Sequence, residues 1–171
     1  MYMTLKVEGR VIIIVGPKST GKSGVAKRLT SMNPLGQAVI IPYDGDSSQM
    51  KAKQRSKYEQ DKEKVIAQAI KNDLFTVIVC ENVSAEKLKS IISTCQLKGL
   101  FRKVQVLKLN LSEELHRELL KRGHEETTEE AIMAERTQFQ HIVDTDYTDI
   151  NVMQTQIKNP SNLKYEFDLD A

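Results

Sequence analysis

Apolar residues in this chain alternate between two spacings. "RVIIIV" (Arg10 to Val15), "QAVIIP" (Gln37 to Pro42), "FTVIVC" (Phe75 to Cys80) and "KVQVLKLN" (Lys103 to Asn110) are short, β-branched runs that read as buried strands. "YTDINV" (Tyr147 to Val152) is a weaker fifth. Between them the apolar positions recur at helical spacing: Val25, Leu29 and Met32; then Tyr58, Val65, Ile66, Ala69 and Ile70; then Leu88, Ile91, Ile92 and Cys95. A fourth helix opens at Ser112 and stops at Gly123, and a capping box of Thr127 and Glu130 announces a fifth, with Ile132, Phe139 and Val143 on its core side. Strands regularly separated by helices predict an α/β domain, a parallel sheet covered on both faces, spanning residues 1–171 as one unit. No repeat, low-complexity tract or linker interrupts it. After Asn151 the chain turns polar: "QTQIKNPSN" reads as a loop leading into a polar tail over about 153–171.

The first apolar run leads directly into Gly16-Pro17-Lys18-Ser19-Thr20-Gly21-Lys22-Ser23, a complete G-x-x-x-x-G-K-[ST] between a strand and a helix. Glycines let such a loop curl until successive N–H groups point inward and cradle a phosphate chain. Gly16 through Gly24 are therefore the candidate nucleotide-binding residues, and the helix that follows the loop adds the positive end of its dipole. Lys22 carries an ammonium to the terminal phosphates, and the Ser23 hydroxyl is a ligand for magnesium. The stretch therefore predicts a nucleoside triphosphate, ATP, with Mg2+.

Three further stretches narrow the chemistry. In "IPYDGDSSQ", Asp44 and Asp46 fall where the second strand should end, at the carboxyl edge where such sheets bind ligands. Asp44 there can accept a proton from an attacking hydroxyl. Asp46 is either a second base or a water-mediated magnesium ligand, and the pair also suits an ordinary Asp-Gly turn. In "TVIVCEN", Glu81 ends a buried strand and fits the magnesium side of the site. In "LLKRGHEETTEEAIMAER", Lys121, Arg122 and Arg136 are candidates for a lid over the phosphates, neutralising the charge in transfer. Arg136 lies four residues after Ile132, close to the core-facing stripe, so an anionic partner is expected for it.

Composition restricts the setting more than the function. With 25 Lys+Arg against 23 Asp+Glu, the net charge of +2 neither demands nor excludes a nucleic-acid partner. Cys80 and Cys95 lack metal-ligand spacing and are too few for a disulfide scaffold, and no segment approaches the about 18 apolar residues of a membrane span. The expectation is a cytoplasmic, non-membrane protein. "KAKQRSKYEQDKEK" follows the proposed base with Lys51, Lys53, Arg55, Lys57, Lys62 and Lys64. It is either a basic helix holding a polyanion such as DNA or RNA, with Arg55 nearest the site, or a solvated helix laced with i,i+4 pairs to Glu59, Asp61 and Glu63.

The assembled parts resemble the P-loop nucleotide kinases, most closely the guanylate-kinase branch. The likeness runs through "VIIIVGPKSTGKSGVAKRL", the stretch from "VQVLKLNLSEELHRELLKRG" to "MAER", and "DTDYTDINV". It implies a three-layer P-loop NTPase fold with five parallel strands ordered 2-3-1-4-5, a helical lid over about 115–136, and Asn151 near the adenine. That family inserts a guanylate-binding domain before its acidic strand, where this chain has only about thirty residues, Asp46 to Phe75. The acceptor side is instead similar to adenylylsulfate kinase and polynucleotide 5′-hydroxyl kinases, in whose strand-end aspartate "YDGDSS" finds its likeness. The chemistry agrees: a phosphate acceptor is already anionic and needs no base, whereas an alcohol gains about 10²–10⁴ in rate from one. The resulting expectation is a kinase acting on a hydroxyl of a nucleotide or nucleic acid, of the polynucleotide-end or modified-base DNA type. A nucleoside-monophosphate kinase with a reduced acceptor site and a regulatory P-loop NTPase are the competing readings.

Overall fold

The computed structural model of the chain describes residues 3–7, 11–18, 20–31, 37–45, 51–99, 103–123, 126–147, 152–158 and 165–169. In chain order the elements are β1 (Met3–Val7), β2 (Val11–Val15), α1 (Lys22–Ser31), β3 (Ala38–Asp44), α2 (Ala52–Lys71), β4 (Phe75–Glu81), α3 (Ala85–Gly99), β5 (Val104–Asn110), α4 (Glu113–Arg122), α5 (Glu129–Asp144), β6 (Val152–Lys158) and β7 (Tyr165–Leu169). Five strands form an all-parallel sheet in the order β3-β4-β2-β5-β6. Counted from β2, the strand that carries the phosphate loop, this is the expected 2-3-1-4-5. β1 and β7 pair in parallel as a separate two-stranded sheet.

β2 takes the centre because all five of its residues are apolar and buried, so both faces must be covered. Ile13 and Val15 face α2, α3 and α5, where Ile66, Ile70, Leu88, Ile92, Phe139 and Ile142 complete one core. Ile12 and Ile14 face α1, where Val25, Ala26 and Leu29 complete the other. Helices therefore cover both faces. β5 adds a lysine to the first core: Lys108 is only 4% exposed, and its ammonium lies 3.4 Å from the Val143 carbonyl oxygen and 3.3 Å from that of Thr145. Cationic donors on the last carbonyls of a helix complement its dipole, so Lys108 fastens the C-terminal end of α5 to the sheet.

Several boundaries differ from the sequence reading. The fifth strand of the sheet is Val152–Lys158 and so takes up "QTQI" from the expected loop, while residues 148–151 of the expected Tyr147–Val152 strand lie outside the described residues. It lies at the sheet edge, where polar residues are tolerated when their groups are satisfied. Thr155 Oγ1 accepts from Gln105 Nε2 at 3.2 Å, and Gln154 donates to Asp146 at 3.0 Å. The N-cap of α5 is Thr128, whose hydroxyl accepts from the Ala131 N–H at 3.1 Å, one residue later than the Thr127–Glu130 box. Ile142 fills the core position expected of Val143, which is half-buried. Val65 is 48% exposed: α2 is seated through Ile66, Ala69 and Ile70, and Val65 borders an open depression with Val39 and Leu74 at the β3 edge. Met32 lies outside the described residues. α4 runs as expected, capped by Ser112, which accepts from the Leu115 N–H at 3.2 Å, and closed by Gly123.

Candidate active site

The loop between β2 and α1 is shaped by close approach. A Cβ on Gly16 would stand 2.9 Å from Thr20 Oγ1 and 3.0 Å from the Leu109 carbonyl oxygen, so only glycine lets the chain leave β2 this close to β5. Gly21 has φ +87°, the left-handed region glycine favours. The Thr20 hydroxyl, itself buried, donates to the Pro17 carbonyl at 2.7 Å and ties the curl. Ser19 lies outside the described residues.

Lys22 opens α1 and is 3% exposed. Its ammonium donates to the Gly16 and Pro17 carbonyls at 2.8 Å each and stands 3.4 Å from Glu81 Oε2. Burial pushes its pKa down, and the Glu81 carboxylate opposes that shift. A desolvated cation held by two neutral carbonyls and one part-exposed carboxylate attracts a further anion. Ser23 and Gly24 follow on the exposed side of α1. The Ser23 hydroxyl and the Glu81 carboxylate are hard oxygen donors, the ligand chemistry magnesium prefers.

Glu81 ends β4, and Asp44, the last residue of β3, stands opposite it in the parallel register. Asp44 is exposed at the carboxyl edge, and its backbone N–H donates to the Tyr58 hydroxyl at 2.9 Å, which anchors α2 to the end of β3. Two strand spacings of about 4.8 Å separate the β3 and β2 axes, with Glu81 between them. Gly45 is as constrained as Gly16: its N–H donates to the Glu81 carbonyl at 2.7 Å, and a Cβ there would lie 2.6 Å from the Asn82 carbonyl oxygen. Asp46 and Asn151 lie outside the described residues.

The remaining expected residues are more dispersed. Arg55 sits in the first turns of α2, exposed together with Lys51, Lys53 and Lys57. Glu59 on the same helix pairs at 2.6 Å with Lys87 of α3. Arg122, 69% exposed at the end of α4, pairs with Glu118 at 2.5 Å. Among the described residues Arg136 meets neutral groups. It donates to the Leu111 carbonyl at 3.2 Å and lies 3.4 Å from His116 Nδ1, because α5 lays position 136 against the β5–α4 junction.

His116 and Glu135 were given no role in the sequence reading. His116 is completely buried, and its Nε2 is 2.9 Å from the Lys18 carbonyl oxygen. A carbonyl only accepts, so Nε2 carries the proton and Nδ1 accepts from Arg136: the imidazole is neutral. Burial lowers its pKa accordingly, with Arg136 and Lys22 adding to the effect and Glu135 and the Lys18 bond opposing it. Glu135 accepts the Lys18 N–H, so the hairpin of α4 and α5 grips the same loop residue by both its backbone groups. Arg117 joins the two helices of that hairpin by pairing with Glu113 at 2.7 Å and with Glu129. The only sequence signal was the i,i+4 spacing of His116 with Leu120, the two buried residues of α4. Between the loop, the end of β4 and α5 runs a narrow cleft of about 20 Å³, lined by Gly16, Pro17, Asn82, Glu135, Gln138 and Phe139. It has room for about one or two waters.

No family model matches the sequence, and the search of curated proteins returned no significant match. Solved structures do match. A chain of the Pnkp1/Rnl/Hen1 RNA repair complex aligns over 88% of this chain and 49% of its own, with TM-score 0.65 and 20% identity. The chain thus spans about half the length of that neighbour. Weaker matches are a gluconokinase from Sinorhizobium meliloti 1021 (TM-score 0.48, 16% identity, 88% and 83% coverage) and APE1195 (TM-score 0.44, 18% identity, 92% and 89% coverage). Sheet order, phosphate loop and the first of these alignments agree on a P-loop α/β fold. Among the described residues no helix is long and apolar enough to cross a membrane.

Proposed function

We propose that the chain is an ATP- and magnesium-dependent kinase that transfers the γ-phosphate to a hydroxyl of a nucleotide or nucleic acid, of the polynucleotide-kinase or modified-base DNA kinase type. One arrangement carries this reading: the buried Lys22 ammonium touches Glu81, and Glu81 faces the exposed Asp44 across the β3–β4 register. A cation for the phosphates, a carboxylate for the metal and a second carboxylate at the solvent-exposed end of β3 thus follow one another along one edge.

In this reading the loop amides and Lys22 hold the β- and γ-phosphates, while Ser23 and Glu81 hold magnesium, which supplies charge neutralisation. Asp44 takes the proton from the acceptor hydroxyl as its oxygen bonds to the γ-phosphorus and the bond to the β,γ-bridging oxygen breaks. Arg122 neutralises the phosphoryl group in transfer, and Arg136, through His116, keeps the loop in place. Arg55 and the neighbouring lysines position acceptor phosphates, with Asp46 beside them. Asn151 is assigned to the adenine by resemblance alone.

The test is transfer from γ-labelled ATP to mononucleotides, 5′-hydroxyl oligonucleotides and base-modified duplex DNA, with Asp44→Asn in parallel. The expected result is label on a hydroxyl of one of these, reduced about 10²–10⁴-fold by Asp44→Asn. Labelling only of mononucleotide phosphates, indifferent to Asp44, would establish a nucleoside-monophosphate kinase. Free phosphate without any labelled acceptor would establish an NTPase.

A further inference from the structure

We propose that Glu135 is an internal competitor for the nucleotide: its carboxylate occupies the Lys18 amide of the phosphate loop and gives way to a phosphate oxygen when the triphosphate binds. This rests on the phosphate-loop reading above and adds a control on access to that loop.

Three observations converge on it. The loop is built to present N–H groups to an anion, and one of them, on Lys18, already donates to the Glu135 carboxylate. That carboxylate comes from α5, 117 residues away in sequence, so it is a tertiary contact and no local turn requires it. Glu135 also lines the cleft of about 20 Å³ between loop and β4, beside Gly16 and Pro17. A carboxylate and a phosphate cannot occupy one amide, and two anions side by side in a partly desolvated cleft repel. Phosphate entry therefore requires Glu135 to leave.

The other side of Lys18 shows why the loop keeps its shape in the exchange. Its carbonyl is held separately by His116, which is in turn oriented by Arg136. Loss of the Glu135 contact thus frees an amide without loosening the residue that carries it. Glu135 acts on how often the loop is open to a ligand, and His116 with Arg136 acts on where the loop sits.

A site open only a fraction of the time binds with a dissociation constant raised by the inverse of that fraction, so a contact made for nine-tenths of the time weakens binding about tenfold. The experiment is calorimetric titration of wild type, Glu135→Ala and Glu135→Gln with Mg-ATP and with inorganic tripolyphosphate. Glu135→Gln keeps the size and an acceptor oxygen but not the charge, and thermal melts check that each variant is folded. The expected result is about three- to tenfold tighter binding of both probes by Glu135→Ala, a smaller gain for Glu135→Gln, and a lower KM for ATP. Equal or weaker binding by both folded variants, with wild type binding normally, overturns the competitor role alone. Failure of wild type and variants alike to bind either probe overturns the phosphate-loop reading and this proposal with it.

Discussion

Replacing Gly45 by alanine is the sharpest test of how Asp44 is placed. The added methyl would meet the Asn82 carbonyl oxygen at 2.6 Å and Val83 Cα at 2.9 Å, where ordinary contact begins near 3.4 Å. Both neighbours are backbone, and Asn82 is already held at φ +53°, so no side chain can swing aside. Relief requires a separation of about 0.8 Å between the end of β3 and the turn after β4, which strains or breaks the 2.7 Å bond from the Gly45 N–H to the Glu81 carbonyl. Overpacking of this kind costs about 1–3 kcal/mol, and the hydrogen bond adds roughly 1 kcal/mol. The sum of about 2–4 kcal/mol corresponds to a melting temperature lower by roughly 5–15 °C for a domain of this size. Asp44 moves with the strand end, and a misplacement of about 1 Å is worth up to about 10² in rate. Thermal melts and label transfer under saturating ATP read the two effects. A variant that melts within about 2 °C of wild type and transfers phosphate as well would show that the β3–β4 contact does not position the carboxylate.

Gly24→Ala is the matched control: a Cβ there meets nothing within 4 Å, and alanine favours the helix, so a gain of about 0.5–1 kcal/mol is expected in urea denaturation. A loss of stability would mean that the start of α1 is not the regular helix described. His116 makes stability depend on acidity. Its folded pKa lies below the ordinary 6.5, so the unfolded chain takes up the proton first, and stability declines as pH falls from about 6.5 through the folded value. Glu135 opposes this decline, while Arg136 and Lys22 deepen it. Denaturation at about pH 7.5 and about pH 5 should show a smaller drop for His116→Gln, which retains a donor for the Lys18 carbonyl; equal drops would assign the acid sensitivity elsewhere.

The features legible in the sequence were those in which one physical requirement dominates. β2 was legible as a buried strand because five consecutive apolar residues have no solvent face, while its place in the sheet order was implied by the resemblance. The phosphate loop was legible because its glycines answer a steric demand that the spacing itself encodes. Residues chosen by tertiary register were not legible. β6 is an edge strand whose Gln154 and Thr155 find partners on Asp146 and Gln105, and neither pairing leaves a periodic trace. Gly45 reads as an ordinary Asp-Gly turn until the Asn82 carbonyl appears against it. The inward position of Arg136 is legible from its helix spacing, but the Leu111 carbonyl and the His116 imidazole that it meets are not. Glu135 stands in a run of acidic and basic residues whose spacing gives no sign of the Lys18 amide it meets.

Lys108 decides which way α5 can turn. It pins the last carbonyls of that helix, while Phe139 and Ile142 seat the same half in the core and Glu129 at the far end is exposed. The C-terminal end of the 16-residue helix is therefore its most firmly held end, with Ile132 and Arg136 seating the first half. At about 1.5 Å per residue, a tilt of roughly 10° sweeps the tip through about 4 Å and Glu135 through about 2 Å. The smaller of these strokes already exceeds the slack in a hydrogen bond, and because Arg136 travels with Glu135, a turn of the Glu135 side chain rather than a swing of the hairpin is the release that leaves His116 on the Lys18 carbonyl.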